Sequence, residues 1–218
     1  MKALLKKEFL LCLHPTCFIF LAFCLFVFIP NYPYEVMFFF SGLSVFFVSI
    51  TARENGDTQF TVTLPVKKSD AVLARMLLCA ILQAALLLLA AATTALKENL
   101  YPASAQINLG GTVANIAFLG NGMLLLGVFN AVFFPLYFGA PHKVGAPFLL
   151  AAVLQFLLIA VILTLRFAVP FFTNIYATPD PEYLTSKLCV LFVGTVAYMG
   201  LTALAACLSC GRFAKVDL

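Results

Sequence analysis

The chain contains six apolar runs, most of them close to the length that an α-helix needs to cross a bilayer. Such a helix needs about 20 mainly apolar residues to span about 30 Å of hydrocarbon. The runs lie near residues 16–29, 36–52, 71–96, 112–138, 148–169 and 187–208. The first is short and stops at a Pro-Asn-Tyr-Pro turn. The sequence therefore predicts an all-α integral membrane protein with about six transmembrane helices, forming one domain over residues 1–218.

Composition favours lipid as the solvent for this fold. The chain is 63% hydrophobic and 10% charged, whereas soluble domains are about half apolar and a quarter charged. A soluble protein of this length would expose far more apolar surface than such proteins do. The connections between the runs are short and leave no room for a soluble domain. The net charge of +4 is concentrated near the predicted membrane edges, which argues against a nucleic-acid partner.

Basic residues divide unequally between the two predicted sides of the membrane. Cytoplasmic loops carry an excess of Lys and Arg. With a cytoplasmic N-terminus, the outer side holds only Lys97, Arg166 and Lys187. The inner side then holds Lys2, Lys6, Lys7, Arg53, Lys67, Lys68, Arg75, Lys143, Arg212 and Lys215. We therefore expect both termini to be cytoplasmic.

The segment before the first run, residues 1–13, mixes lysines with apolar residues. Leu5, Phe9 and Cys12 share one face at helical spacing. This pattern predicts an amphipathic helix in the inner headgroup layer, with its charged residues towards water. The alternative is an ordinary charged flank that fixes topology.

Few polar residues fall inside the runs. Gln83, Asn130 and Gln155 are candidates either for lining a path or for bonding neighbouring helices. Arg166 lies near the end of the fifth run, and we expect its long side chain to reach the surface. Cys207 and Cys210 form a Cys-x-x-Cys pair without a second pair, which favours packing over metal binding.

Sequence patterns for catalysis or ATP hydrolysis are missing. There is no His-Glu-x-x-His helix and no Gly-x-x-x-x-Gly-Lys-Ser/Thr phosphate loop. The runs hold no Ser and His pair at depth and no row of carboxylates. The chain therefore carries no visible catalyst and no visible energy source.

The connection from Arg53 to Asp70 is the longest charged one on the predicted inner side. Pro65 disfavours helix at Leu64, and Ser69 or Asp70 is a good N-cap for the third span. We expect a short structured elbow with Phe60 and Leu64 exposed to a partner. The alternative is a solvated loop that only joins two spans.

Two motifs resemble one transporter family. The stretch Leu-Pro-Val-Lys-Lys-Ser-Asp-Ala-Val at residues 64–72 and Phe-Pro-Leu-Tyr-Phe at 134–138, followed by Gly139 and Lys143, are similar to stretches of the ABC-2 family. Members are small six-span permease subunits of ABC-type exporters. Ala71 replaces a branched apolar residue, and Gly145-Ala146 stands where many members carry Ala-Arg.

The resemblance implies a membrane subunit driven by a separate cytoplasmic ATPase, which would bind the ATP, while this chain would bind no cofactor. It implies a second permease, identical or related, in a bacterial cell membrane. The ATPase-coupling segment would contain Glu54, Asp57, Phe60, Leu64, Pro65, Lys67, Lys68, Ser69 and Asp70. Phe60 and Leu64 would be its apolar anchors, and Glu54, Asp57, Lys67 and Lys68 its charged rim. A second inner loop would contribute Pro135, Tyr137 and Lys143.

Other interpretations stay open at this point. One is a substrate-capture subunit of a vitamin uptake system, which has a similar size and span number. Another is an intramembrane lipid-modifying enzyme, although the Asp-x-x-Asp metal cluster typical of one such class is absent. A third is a structural or assembly protein. For a permease, small residues are candidates for the contact between two copies, namely Gly120, Gly122, Gly127, Gly194 and Gly200.

Overall fold

The computed structural model describes residues 1–29, 32–101, 107 and 111–216, and these fold into helices. The predicted turn at Pro30 and most of the polar connection from Lys97 to Gly111 lie outside the described residues. The helices in chain order are α1 Lys2–Leu11, α2 Thr16–Ala22, α3 Met37–Glu54, α4 Asp57–Thr63, α5 Lys68–Leu100, α6 Ile116–Gly139, α7 Gly145–Ala168, α8 Pro170–Tyr176 and α9 Leu184–Ala214. Short 3-10 segments cover Phe23–Phe28 and Tyr34–Val36.

Five of the described helices are long and apolar enough to cross a membrane: α3, with the 3-10 turn before it, α5, α6, α7 and α9. A sixth span exists only if α1 and the segment Thr16–Phe28 are counted together, and these are bent by 90°. Thr16–Phe28 alone reaches about 22 Å, which is less than the hydrocarbon thickness. The prediction of an all-α membrane protein with an N-terminal helix is confirmed, and its first predicted span is the shortest.

The start of α5 differs from the predicted one. The N-cap is Lys67, and its own side chain makes no capping hydrogen bond to the described helix, so the prediction of Ser69 or Asp70 at this position is wrong. Proline holds the preceding Leu64 extended at ψ 152, but the chain is free to turn helical as early as Lys68. Asp70 falls in the first turn instead, where a carboxylate favours the helix dipole.

Helix α1 forms, and its buried face matches the predicted one at Cys12 and in part at Leu5 but not at Phe9. Leu4, Glu8 and Cys12 are buried, whereas Phe9 is 37% exposed. The prediction placed the charged residues of this segment, which include Glu8, towards water and placed Phe9 on the apolar face. Because Arg75 of α5 lies next to this helix, the position with a carboxylate turns inward instead.

The glycines of α6 and α9 pack these two helices against each other within one chain. A Cβ on Gly194 would lie 2.1 Å from the Gly120 carbonyl oxygen, and one on Gly127 would lie 3.0 Å from the Tyr198 Cα. Gly122 accommodates the Phe38 ring in the same way. Gly120, whose own Cβ would lie 2.7 Å from the Val190 carbonyl oxygen, and the other three glycines therefore serve the fold of a single copy. Gly200 has no described atom within 4 Å of its would-be Cβ.

Candidate functional site

A cluster of buried charges lies where α1, α4 and α5 meet. We call Lys7, Glu8, Asp57 and Arg75 the ion-pair cluster. Arg75 bonds Glu8 through Nε, and its Nη2 lies 2.5 Å from Asp57 Oδ2. Lys7 Nζ lies 3.0 Å from Glu8 Oε1 and 2.8 Å from Asp57 Oδ1. Two cations and two carboxylates thus neutralise one another.

The cluster connects parts of the chain that are far apart in sequence. Glu8 comes from α1, Asp57 from the first turn of α4, and Arg75 from the second turn of α5. Arg75 Nη1 also lies 3.3 Å from the Tyr137 hydroxyl near the end of α6. Gly56, in the left-handed conformation at φ 61, lets α4 begin directly after α3 ends. The result is one rigid junction of four helices.

The acidic side of this junction has metal-ligand spacing. Glu8, Cys12 and Asp57 bring their ligand atoms within 4.8 Å of one another, the one such group among the described residues. However, Arg75 bonds both carboxylates, and its Nη2 lies 3.4 Å from Cys12 Sγ. A guanidinium therefore already neutralises the position that a metal ion would take.

Burial and charge act in opposite directions on Glu8. Burial raises the pKa of this carboxyl, but the neighbouring charges of Arg75 and Lys7 outweigh it, and the pKa lies below its ordinary value of 4.5. Glu8 is therefore ionised at neutral pH. The thiol of Cys12 has its pKa raised by burial and stays protonated.

Asp57 was predicted as a member of the charged rim, and this is where the structure differs most from the sequence interpretation. Asp57 is 2% exposed and bonded inside the cluster. The predicted loop also contains a helix, α4. Sequence reasoning missed the cluster because Glu8, Asp57 and Arg75 belong to separate segments. The spacing of Leu4, Glu8 and Cys12 on one helical face was the available signal.

Apart from the buried Asp57 and Thr61, the side chains of α4 and those of the turn after it are exposed or half-buried. Phe60 is 52% exposed, as predicted, and Leu64 is half-buried. Glu54, Pro65 and Lys67 are exposed, whereas Ser69 and Asp70 are half-buried. Lys68 donates to the Val216 carbonyl oxygen at 2.8 Å, which ties this turn to the end of the described chain.

Two of the three residues predicted for a second inner loop lie within a helix. Pro135 and Tyr137 are buried inside α6, and only Lys143 is exposed in the connection to α7. Arg212 of α9 donates to the Pro135 carbonyl oxygen at 3.0 Å. These contacts fix the helix end to its neighbours, so the exposed part of the second connection is smaller than expected.

A neutral polar network occupies the middle of the bundle. We call Gln83, Asn130, Tyr198 and Thr202 the amide seam. Gln83 and Asn130 exchange two hydrogen bonds of 2.7 and 2.9 Å, Tyr198 donates to Gln83, and Asn130 donates to Thr202. Gln155 lies elsewhere and donates to the Phe38 carbonyl oxygen at 3.3 Å. This geometry is that of interhelical bonding, and a role in lining a path stays a prediction.

The cations at the other end of the bundle are buried. Lys187 donates to the Thr178 carbonyl oxygen at 2.9 Å and also to that of Pro179. Lys97 contacts the Tyr34 hydroxyl. Arg166 is only 9% exposed, so the prediction that its side chain reaches the surface is wrong. Its neighbours are Gly111 and the Phe167 ring, which cover the guanidinium.

Comparison with models of protein families gives a match for this chain. A family model described as ABC-2 family transporter protein matches residues 3–210, nearly the whole chain. The chain belongs to the ABC-2 transporter family. Searches of curated proteins and of solved structures give no significant match.

Membership confirms the resemblance that the two motifs carried. This ABC-2 protein is a multi-pass membrane component of a transporter, and its family places it with an ATPase partner and in a lipid bilayer. The match extends from α1 through most of α9, so it includes the ion-pair cluster, α4 and the amide seam.

Proposed function

We propose that this protein is the permease subunit of an ATP-driven exporter and that α4 couples it to a separate cytoplasmic ATPase. The observation that carries this proposal is that α4 combines buried, bonded side chains with an exposed apolar one. Asp57 and Thr61 on one face are buried, and Lys7 bonds both of them. Phe60, beside these two positions on the helix, is 52% exposed.

A coupling element needs both properties. Its outer face must bind a partner, and its inner face must be attached rigidly enough to move the membrane helices. Through Asp57, a displacement of α4 would act on Arg75 of α5 and Glu8 of α1 together. Tyr137 would pass the same displacement to α6.

The proposal is tested by truncating the exposed anchor. Interface energy concentrates in a few packed side chains, each costing more than about 1 kcal/mol when truncated. We expect Phe60→Ala to weaken binding of the ATPase at least about fivefold and to reduce its stimulation, with membrane insertion unchanged. Leu64→Ala should act in the same direction. Binding is measured by titrating purified ATPase onto the protein in nanodiscs.

Two controls sharpen this test. Leu100→Ala truncates an apolar side chain of similar exposure at the far end of α5 and should leave ATPase binding unchanged. Lys67→Ala removes an exposed charge and should have a smaller effect that fades at high salt. Wild-type ATPase binding by the double variant Phe60→Ala and Leu64→Ala would refute the coupling role.

We further propose that the α4 end of the bundle is cytoplasmic, in a bacterial cell membrane, and that two permeases enclose the path. The basic residues of α1, of the α3–α5 connection and of the end of α9 support this orientation. We expect an impermeant reagent added from the cytoplasmic side to label Lys215→Cys but not Asp180→Cys.

The pairing of two permeases is tested by native mass measurement in nanodiscs. A strictly monomeric species that still transports would contradict it.

A further inference from the structure

A cavity of about 350 Å³ lies between α6, α8 and α9, at the end of the bundle opposite α4. Its size falls within the range of small-molecule sites. None of the described residues that line the cavity is charged, and most are apolar. They are Gly120, Asn121, Leu124, Phe171, Phe172, Ile175, Tyr176, Ser186, Cys189, Val190, Val193 and Gly194.

One polar side chain of this lining has an unused donor. Asn121 is 4% exposed, and its Oδ1 accepts from the Tyr176 hydroxyl at 3.3 Å. Among the residues that the structure describes, its Nδ2 has no hydrogen-bond partner. Buried amides are nearly always bonded, and an N–H without a partner costs free energy. This N–H is enclosed in the structure, so a ligand with a hydrogen-bond acceptor would satisfy it once the Asn121 amide turns towards the cavity.

The rim of the cavity faces the region where lipid chains lie. Phe171 is 59% and Val193 is 62% exposed, and both line the cavity. Asn121 lies in the second turn of α6, inside the apolar span. A molecule dissolved in the bilayer would therefore reach the site sideways, without crossing a charged surface.

We infer that this cavity binds an uncharged, mainly apolar molecule with one hydrogen-bond acceptor, such as a ketone or ester carbonyl, which it takes up from the membrane. The inference rests on the proposed permease role, because it assigns the class of substrate. The apolar walls bind the body of the molecule, and Asn121 Nδ2 donates to its acceptor. Charged molecules are disfavoured because no described lining residue would neutralise them.

Benzophenone is a suitable probe, since it is uncharged and apolar, has one carbonyl, and crosslinks under ultraviolet light. The full-length protein in nanodiscs, without any ATPase, is irradiated with the probe, and the labelled peptides are mapped by mass spectrometry. We expect labelling to concentrate in residues 171–176 and 186–194. Diphenylmethane, which lacks the carbonyl, should compete about fivefold less well than unirradiated ketone, a difference typical of one hydrogen bond.

Variants separate the walls from the amide. Asn121→Leu should abolish the preference for the ketone over diphenylmethane, whereas Tyr176→Phe, which leaves the Asn121 amide in place, should keep it. Val193→Trp adds bulk at the exposed rim and should reduce labelling at least fivefold. Val196→Trp adds the same bulk at an exposed position of α9 outside the lining and should not.

Three results would overturn the inference. They are labelling spread evenly over lipid-facing residues such as Leu149 and Leu157, equal competition by the anionic analogue 4-benzoylbenzoate, and insensitivity to Val193→Trp. Because no ATPase is present, failure here is distinct from failure of the coupling role. Loss of ATPase binding in the earlier test would leave this site intact, and loss of labelling would leave α4 coupling intact.

Discussion

The protein contains two buried polar networks that are built from different chemistry. The ion-pair cluster uses full charges and lies at the end of the bundle where α1 and α4 cover the start of α5. The amide seam uses neutral groups and lies in the middle of the apolar helices. Charged groups at the centre of a bilayer are costly, whereas amides and hydroxyls that bond between helices are tolerated there.

The two networks also join different elements. The cluster attaches two short helices, α1 and α4, to the long helix α5, and neither short helix buries much apolar surface of its own. The seam joins α5, α6 and α9, which already pack over long lengths. We therefore expect the ion pairs to contribute most of the stability of the α1–α4–α5 junction, where packing is weak. The amide seam should contribute less to the stability of the α5–α6–α9 junction, which packing already stabilises.

The largest expected effect follows from removing the central cation. Arg75→Met leaves two buried carboxylates with Lys7 as their remaining partner among the described residues. Breaking a buried ion pair by removing one partner typically costs about 3–5 kcal/mol. We expect a large drop in thermal stability in detergent, with proteolytic release of α1 and α4.

The control for this prediction is Arg75→Lys, which keeps the charge but loses the fork that reaches two carboxylates and should be intermediate. A thermal midpoint of Arg75→Met within one degree of the wild-type value would show that the cluster does not hold the short helices. In that case the ion-pair cluster would not contribute more to stability than the amide seam.

A smaller effect is expected in the seam. Interhelical hydrogen bonds in membrane proteins average about 0.6 kcal/mol and reach about 1.7 kcal/mol. Gln83→Leu and Asn130→Leu each remove both hydrogen bonds between the two amides. The losses of stability in the two single variants should therefore add up to more than the loss in the double variant. The double-mutant cycle, measured by unfolding in mixed micelles, should give a coupling of about 1 kcal/mol. A coupling as large as the cost of Arg75→Met would reverse the ranking.

The smallest effect concerns pH, and only the cluster should show it. The folded pKa of Glu8 lies below the ordinary 4.5, so its contribution to stability is present above that value and is lost as pH falls through the folded pKa. Thermal midpoints should therefore decline at pH below about 4.5, and Glu8→Gln should flatten this decline. Gln83→Leu should lower the midpoint without changing the slope. An unchanged acid slope in Glu8→Gln would remove Glu8 from the explanation.

Much of the architecture followed from one-dimensional properties. Apolar length placed α3, α5, α6 and α7 within about four residues of their observed bounds, and α9 within about six, because each helix satisfies its own backbone hydrogen bonds in lipid. Pro65 marked the turn before α5, and the exposure of Phe60 followed from an apolar side chain in a charged connection. The two short motifs were enough to indicate the family, since each is a continuous stretch of sequence, at residues 64–72 and 134–138.

Which side chains bond to each other could be seen only in the tertiary structure. Glu8 and Asp57 look like surface charges in their own segments, and only the approach of α1 and α4 to Arg75 makes them buried. In the same way, nothing in the sequence placed Gln83 opposite Asn130, or Gly194 against Gly120 within one chain. Local sequence determines whether a segment becomes a helix, because the bonds involved span four residues. Which side chains of distant helices meet depends on the crossing of those helices, and that is decided by packing over the whole chain.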